Sequence, residues 1–370
     1  MGAAKMPFTA IPVIDIGALS GTDEAARQAV AQEIGRACED VGFFYISNHG
    51  VPQALIDKAY AQSAAFHHSP VELRERVHVR NSQGNRGWLP STLDYEDPDP
   101  ELYRLSPAPE DPKDDHLGHP RLHQAFDSSI EIADDDPDYL AGNLMLVPNQ
   151  WPDWLPGFRE DVQSYYKAVM NVGNQLFRAF AMALGLPETF FLEKATKPSS
   201  QLRLLHYPPN DRPMDRQNLG IGAHSDFECF TILNTSGPGL QVMNSADEWV
   251  EAPPLPGCFI VNIGDLVEGW TNGLFKATQH RVVNTGVERY SLPLFFAVDY
   301  HTVVEPLPRF VTPERPSGYT RIVAGDHLAC FSILDTKHLR KKILTGELKV
   351  DFPLHQENPF KRKAINESPV

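Results

Sequence analysis

The stretch HSDFECFTIL, residues 224–233, belongs to a series of short β-type runs that decides the fold class. Between Leu202 and Val304, apolar and polar residues alternate with a period of two, and Gly, Pro and Asn separate the runs. The runs are LRLLHY, HSDFECFTIL, GLQVM, EWVEA, CFIVNI, ATQHRVV and SLPLFFAVDY. This number of short strands with turn signals between them is typical of a sandwich or a barrel, so we predict a mainly β core.

The regions on either side of this core predict helices and a few more strands. Thr22 to Glu39 carries apolar residues at a four-residue step, and Pro156 to Leu184 presents one broad apolar face. IPVIDI (11–16) and FFYIS (43–47) are short strand candidates, so the N-terminal region is predicted to be α/β. One further helix is predicted at Lys337 to Leu344.

This pattern divides the chain into three segments, which we expect to form one compact unit. Residues 1–155 form the N-terminal region, 156–310 the long helix and the β core, and 311–370 a C-terminal helical extension. Gly84 to Pro156 is rich in Pro, Asp and Glu, and strand-like residues at Ile130 to Ile132 interrupt it. We expect this acidic loop to be either a linker or a cover over the core.

The composition limits the classes of partner. The 370 residues are 42% hydrophobic, which is enough for a sizeable core. A formal net charge of -15 repels phosphate backbones and anionic lipids. No apolar run reaches the roughly 18 residues of a membrane span, and the four cysteines form no CxxC pair. We therefore expect a cytoplasmic protein with a small-molecule partner, bound neither to nucleic acid nor to a membrane.

His224-Ser225-Asp226 is the first candidate site. Residues two apart on a strand face the same side, so His224 and Asp226 are predicted to point into one interior. A third ligand has to come from another strand, and His280 lies far enough downstream for the chain to return. Two imidazoles and one carboxylate leave three adjacent positions open on an octahedral ion, which is the facial triad of non-haem Fe(II) oxygenases.

Arg289 and Ser291 repeat this alternation on the next strand candidate. A guanidinium fork and a hydroxyl on one face suit a carboxylate ligand. Pro293 and Phe295 continue the same face, so the polar pair opens onto an apolar wall. An interior arginine without a partner is costly, so Arg289 implies either a ligand anion or an internal Asp or Glu.

Together these motifs resemble the isopenicillin N synthase-like family of Fe(II)/2-oxoglutarate dioxygenases. The ordered set is HxD at 224–226, HRV at 280–282 and RxS at 289–291. Shorter stretches also match, namely IPVIDI, VGFFYISNHGV, PNQWP, LLHYPP, GLQV, NIGDL and WTNG. The resemblance implies a double-stranded β-helix, or jelly roll, packed against the N-terminal α/β region.

The resemblance also implies the cofactors and the residues that hold them. The implied Fe(II) ligands are His224, Asp226 and His280. The residues implied for the distal carboxylate of the 2-oxoglutarate cosubstrate are Arg289 and Ser291, with Tyr207 nearby. With O2, the expected activity is oxidation of a C–H bond of a small metabolite (hydroxylation, desaturation or cyclisation), releasing succinate and CO2. No catalytic residue beyond the metal ligands is expected.

Two other functions stay open. In an oxidase of the isopenicillin N synthase type, the substrate itself would bind iron, and Arg289 and Ser291 would grip its carboxylate without any 2-oxoglutarate. A degenerate barrel would bind a ligand without catalysis, but it would be expected to lack one of the three metal ligands.

One departure from the family's sequence pattern bears on the use of 2-oxoglutarate. Many members of the family have Asn-Tyr-Tyr-Pro where this chain has Leu205-His206-Tyr207-Pro208, and Leu205 cannot make the asparagine's polar contact.

Phe227 and Phe295 are predicted walls of the substrate pocket, because one adjoins Asp226 and the other shares a strand face with Ser291. Five other histidines are expected to be solvated, namely His67, His68, His116, His119 and His123. By alternation, His206 is expected to face away from the metal.

Overall fold

The computed structural model describes residues 6–91, 122–211 and 219–354. The part of the predicted acidic loop at 92–121 lies outside the described residues. The strands are β1 Val13–Asp15, β2 Phe43–Ser47, β3 Gly87–Leu89, β4 Gln124–Ser129, β5 Gln201–Tyr207, β6 Leu219–His224, β7 Phe230–Thr235, β8 Leu240–Met243, β9 Trp249–Glu251, β10 Phe259–Ile263, β11 His280–Val283, β12 Arg289–Phe296, β13 Val303–Val304 and β14 Ile322–Val323.

These strands form two large sheets and one small hairpin. The major sheet has the order β1-β2-β10-β7-β12-β5-β4-β3, and the minor sheet has the order β6-β11-β8-β9. The two N-terminal strands belong to the major sheet, because β2 pairs with β10 antiparallel and with β1 parallel. The N-terminal α/β region and the β core therefore share one sheet.

Helices surround this core. They are α1 Glu24–Asp40, α2 Gln53–His67, α3 Val71–Arg74, α4 Pro137–Leu140, α5 Phe158–Ala183, α6 Asp265–Trp270, α7 Ala324–Asp335 and α8 Lys337–Leu344. The long helix α5 lies within the predicted range, and α8 has the predicted bounds. Within the described ranges, none of the helices has the length and apolar character that a membrane span requires.

The two faces of the major sheet are buried against different partners. On one face, Phe177 of α5 packs edge-on against Phe230 of β7 and Phe296 of β12, with ring centroids 5.1 and 5.0 Å apart. On the other face, Leu205 and Tyr207 of β5 share an apolar cluster with residues of the minor sheet, which are Leu240, Val242 and Val282. The space between the two sheets is therefore the interior of the barrel.

Three local expectations were wrong. HSDFECFTIL is not one strand, because β6 ends at His224 and β7 begins at Phe230. The intervening loop carbonyls of Asp226 and Glu228 accept backbone hydrogen bonds from Asp265 and Leu266, at the N-terminus of α6, instead of pairing in a sheet.

The other two differences flank the core. The strand expected at Ile130 to Ile132 lies earlier in the chain. It is β4, Gln124–Ser129, which is rich in polar residues. The C-terminal extension has a second helix, α7, directly before α8. The apolar residues of α7 do not follow a one-sided pattern, so its sequence gave no periodic signal for a helix.

Candidate metal centre

The three predicted ligands lie together where the minor sheet meets the loop after β6. His224 is the last residue of β6 and His280 the first of β11, and the two are direct partners in the antiparallel pairing. Each Nε2 atom lies 3.6 Å from Oδ1 of Asp226. Their ligand atoms all lie within 4.8 Å of one another, which suits three bonds of about 2 Å to a single ion.

The hydrogen bonds of the two histidine rings fix the tautomer that a metal requires. Nδ1 of His224 lies 2.8 Å from the carbonyl oxygen of Gly222, and Nδ1 of His280 lies 3.2 Å from that of Thr278. Because a carbonyl oxygen only accepts, each Nδ1 carries the proton. In the neutral ring, each Nε2 therefore presents its lone pair towards the shared point.

The carboxylate of Asp226 is held by two hydrogen bonds on the side away from the histidines. Its Oδ2 accepts from Asn262 Nδ2 at 2.7 Å and from the hydroxyl of Thr231. Burial by itself raises the pKa of Asp226, but these two hydrogen bonds, and the charge of the nearby histidines when they are protonated, lower it below its usual value. Neither Thr231 nor Asn262 was singled out from the sequence, although Asn262 begins the quoted NIGDL stretch.

The residues expected at the cosubstrate lie further along the same interior. Arg289 of β12 is the direct partner of Tyr207 on β5, and its guanidinium lies 4.8 Å from the centre of the tyrosine ring. The hydroxyl of Ser291 donates to Thr235 Oγ1 at 3.0 Å. Burial raises the pKa of Tyr207, and the charge of Arg289 acts in the opposite direction.

The burial and the hydrogen bonds of Arg289 show whether this end of the interior fits an anionic ligand. Its side chain is buried, and its Nε donates to the carbonyl oxygen of Gly237 at 3.0 Å. Its Nη1 has no hydrogen-bond partner within the described part of the chain. Because a buried guanidinium N–H without an acceptor is costly, the arrangement fits a ligand carboxylate at this position.

The two predicted pocket residues lie in different surroundings. Phe227, in the loop after β6, stacks on Phe331 of α7 with ring centroids 3.6 Å apart. Phe295 lies on the inner face of β12, and the guanidinium of Arg203 lies 5.7 Å from its ring centre. The α7 helix, which was not predicted from the sequence, therefore packs against the loop that carries Asp226.

The inner face also carries an ion pair that was not predicted from the sequence. Nε and Nη2 of Arg203 donate to the two carboxylate oxygens of Asp127 at 2.7 and 2.9 Å. Alternation along LRLLHY gave a signal for it, since Arg203 and Tyr207 share a face of β5. Two histidines expected to be solvated, His67 and His123, are instead buried.

A barrel of this kind, with two histidines and an aspartate converging beside a buried arginine, defines the class of mononuclear non-haem iron oxygenases. Comparison with known proteins gives the family. The N-terminal profile of the non-haem dioxygenases in morphine synthesis matches residues 11–154, and the profile of the 2OG-Fe(II) oxygenase superfamily matches residues 198–298.

Similar proteins agree with this assignment. The 2-oxoglutarate-Fe(II) type oxidoreductase hxnY of Emericella nidulans is 32% identical over 87% of this chain and 89% of its own length. The homoarginine-6-hydroxylase 2-ODD-C23 of Glycine max is 31% identical over 87% of this chain and 96% of its own. A solved structure of a putative 2OG-Fe(II) oxygenase family protein from Caulobacter crescentus superposes with a TM-score of 0.72 at 30% identity, covering 87% and 97% of the two chains.

The chain belongs to the 2OG-Fe(II) oxygenase superfamily. This confirms the resemblance to the isopenicillin N synthase-like enzymes and the predicted jelly-roll core with flanking helices. The protein is an oxidoreductase of the type that uses Fe(II), 2-oxoglutarate and O2 to oxidise a C–H bond with release of succinate and CO2. The 2-oxoglutarate-independent oxidase and the non-catalytic barrel are not favoured.

Proposed function

We propose that one set of side chains holds the iron and a second set, further along the same interior, holds 2-oxoglutarate. The proposed iron ligands are His224, Asp226 and His280. The proposed cosubstrate residues are Arg289, Ser291 and Tyr207. The observation that carries this proposal is the convergence of the three ligand atoms in the same interior as an arginine whose Nη1 lacks an acceptor within the described ranges.

At the iron end, the protein's contribution is to fix geometry and protonation. The carbonyls of Gly222 and Thr278 hold both imidazoles in the tautomer that offers Nε2. Thr231 and Asn262 keep Oδ1 of Asp226 turned towards the histidines by engaging Oδ2. Bound Fe(II) with 2-oxoglutarate supplies the oxidising chemistry.

At the cosubstrate end, the protein's contribution is to bind and orient a carboxylate. Arg289 would give a charge-assisted bond from Nη1, while its Nε stays fixed on Gly237. The hydroxyl of Ser291 can rotate from Thr235 to donate to the same carboxylate. Tyr207, whose raised pKa keeps it a neutral phenol, covers the guanidinium.

The substrate is proposed to enter next to Phe227 and Phe295. Phe295 together with the Arg203–Asp127 pair gives the interior an apolar surface beside a polar one. These contacts suit a small organic metabolite, and hydroxylation, desaturation and cyclisation all remain open.

We also propose that residues 1–155, 156–310 and 311–370 form one compact unit in the cytoplasm. Pairing of β2 with β10 and stacking of Phe227 on Phe331 support a single unit. The four cysteines are free thiols in the structure, which supports a reducing compartment. Proteolysis yielding stable separate fragments, or fractionation away from the cytosol, would contradict these two points.

The proposed function is tested by succinate formation from iron-loaded protein under air, with and without 2-oxoglutarate. We expect slow succinate release that requires 2-oxoglutarate and is lost in His280→Ala. Because turnover without substrate can be very slow, the same samples are titrated anaerobically for the absorbance band of the iron–2-oxoglutarate complex. Absence of both signals in the wild-type protein would contradict the proposal.

A further inference from the structure

A polar network lies on the outer face of the strands that carry the proposed cosubstrate residues. On this face, His206 of β5 is the direct partner of Gln124 on β4 and of Tyr290 on β12. Each of these positions is next in sequence to an inner-face residue, since His206 precedes Tyr207 and Tyr290 follows Arg289. Contacts of the outer-face side chains therefore hold the backbone that carries the inner-face side chains.

Glu288 is the centre of this network. Its Oε1 lies 2.9 Å from Nε2 of His206, 3.0 Å from Nε2 of His68 and 3.0 Å from the hydroxyl of Tyr290. The ring of His206 also stacks on Tyr290, with centroids 4.8 Å apart. Burial raises the pKa of Glu288, but the hydrogen bonds from His206 and Tyr290 lower it below its usual value, so the carboxylate is ionised.

Gln124 decides which nitrogen of His206 carries the proton. The Oε1 of Gln124 accepts from the indole N–H of Trp88 at 3.0 Å and from the guanidinium of Arg74. Its amide nitrogen therefore faces Nδ1 of His206, at 2.9 Å. Because that amide donates, Nδ1 accepts, and the proton of the neutral ring is on Nε2, where it is donated to Glu288.

This tautomer of His206 argues against a second metal centre, on the outer face of the major sheet. The ligand atoms of His68, His206 and Glu288 lie within 4.8 Å of one another, as a metal would require. A metal on Nε2 of His206 would move the proton to Nδ1, against the amide of Gln124. Turning that amide round would break its bonds to Trp88 and Arg74. The cluster is therefore a hydrogen-bond network.

We infer that Glu288 is a positioning residue for 2-oxoglutarate, locking β5 and β12 together behind Tyr207 and Arg289. This inference rests on the proposed function of those two residues. It also accounts for the departure at Leu205, which is the direct partner of Ser291 and cannot supply the polar contact of the family's asparagine. In this chain the side-chain support for β5 and β12 comes from the outer face, through His206 and Glu288.

The test is an anaerobic titration of iron-loaded Glu288→Ala with 2-oxoglutarate. We expect the dissociation constant of 2-oxoglutarate to rise about tenfold, because the Nε2–H of His206 loses its acceptor and the two strands lose this side-chain link beside their backbone pairing. The affinity for Fe(II) should stay within about twofold, because the network does not contact the metal ligands. Glu288→Gln keeps an acceptor oxygen and should restore most of the 2-oxoglutarate affinity.

A matched variant distinguishes a specific role of Glu288 from the mere loss of a glutamate. Glu251→Ala removes an exposed glutamate that accepts from Gln241 in the minor sheet, and it should change neither affinity. Unchanged 2-oxoglutarate affinity in Glu288→Ala, or equal losses in both affinities, would overturn the inference. So would a second equivalent of bound Zn²⁺ that Glu288→Ala abolishes. If Arg289→Ala also left 2-oxoglutarate binding unchanged, the proposed function itself would fail.

Discussion

The proposed iron end and the proposed cosubstrate end of the interior differ in how completely the protein satisfies their polar groups. At the iron end, each imidazole Nδ1 has a carbonyl and Oδ2 of Asp226 has two donors, so the ligand atoms are aligned in advance. At the cosubstrate end, Nη1 of the buried Arg289 has no acceptor among the described residues. The difference supports the proposal that the protein aligns the metal site in advance, whereas a bound ligand completes the anion site.

Strand β7 contributes a residue to each end, so mutations in β7 can change the two ends independently. Thr231 and Thr235 stand on the same face of β7, four residues apart. The hydroxyl of Thr231 donates to the carboxylate of Asp226, whereas that of Thr235 accepts from Ser291. Equivalent changes at these two positions should therefore affect different ligands.

Among the residues that support the two ends through a hydroxyl group, the largest expected effect is on iron binding in Thr231→Val. This change keeps the shape of the side chain but leaves Asp226 with one donor, so the Fe(II) affinity should fall about 10- to 100-fold. A metal titration monitored by intrinsic fluorescence measures it, with Thr235→Val as the matched control. Loss of iron affinity in the control to the same degree would break the comparison.

A smaller effect is expected on 2-oxoglutarate binding in Ser291→Ala. Removal of one hydrogen bond to the carboxylate is worth about 1 kcal/mol, so the dissociation constant should rise about fivefold. Calorimetry of the iron-loaded variant measures it, and the Fe(II) affinity should not change. A variant that binds 2-oxoglutarate as tightly as the wild-type protein would show that Ser291 makes no contact with it.

The smallest expected effect is on the pH dependence of stability, which belongs to neither end. Burial lowers the pKa of His78 to about 3 and that of His327 to about 3, below the usual value near 6.5. The unfolded chain takes up protons first, so stability is complete above about pH 6.5 and declines as the pH falls towards 3. Thermal unfolding between pH 7.5 and 5 should show this decline, and His327→Leu should reduce it. An unchanged slope in that variant would count against a neutral buried His327.

Much of both ends could be predicted from the sequence, because their residues stand in short ordered patterns. The histidine–aspartate pair and the arginine–serine pair are each two residues apart, and a jelly-roll barrel brings such patterns together. What supports them could not be predicted in this way. Thr231, Asn262 and Gln124 are ordinary strand residues until the pairing of distant strands gives them partners.

The same limit applies to the helix α7 and to Arg203. Apolar residues occur on every side of α7, so periodicity gave no sign of a helix against Phe227. Arg203 is an ordinary residue of LRLLHY until β4 places Asp127 opposite it. Local alternation thus predicts which side chains face inwards, whereas the order of the strands in the sheet decides which residues they contact.

The most direct test of two separable ends is a pair of titrations on Arg289→Ala, one with Fe(II) and one with 2-oxoglutarate after iron loading. We predict that the dissociation constant of 2-oxoglutarate rises at least about 100-fold, since a charged hydrogen bond of about 3 kcal/mol is lost. The Fe(II) affinity should stay within about twofold of the wild-type value. Equal losses in both titrations, or an unchanged affinity for 2-oxoglutarate, would contradict the account.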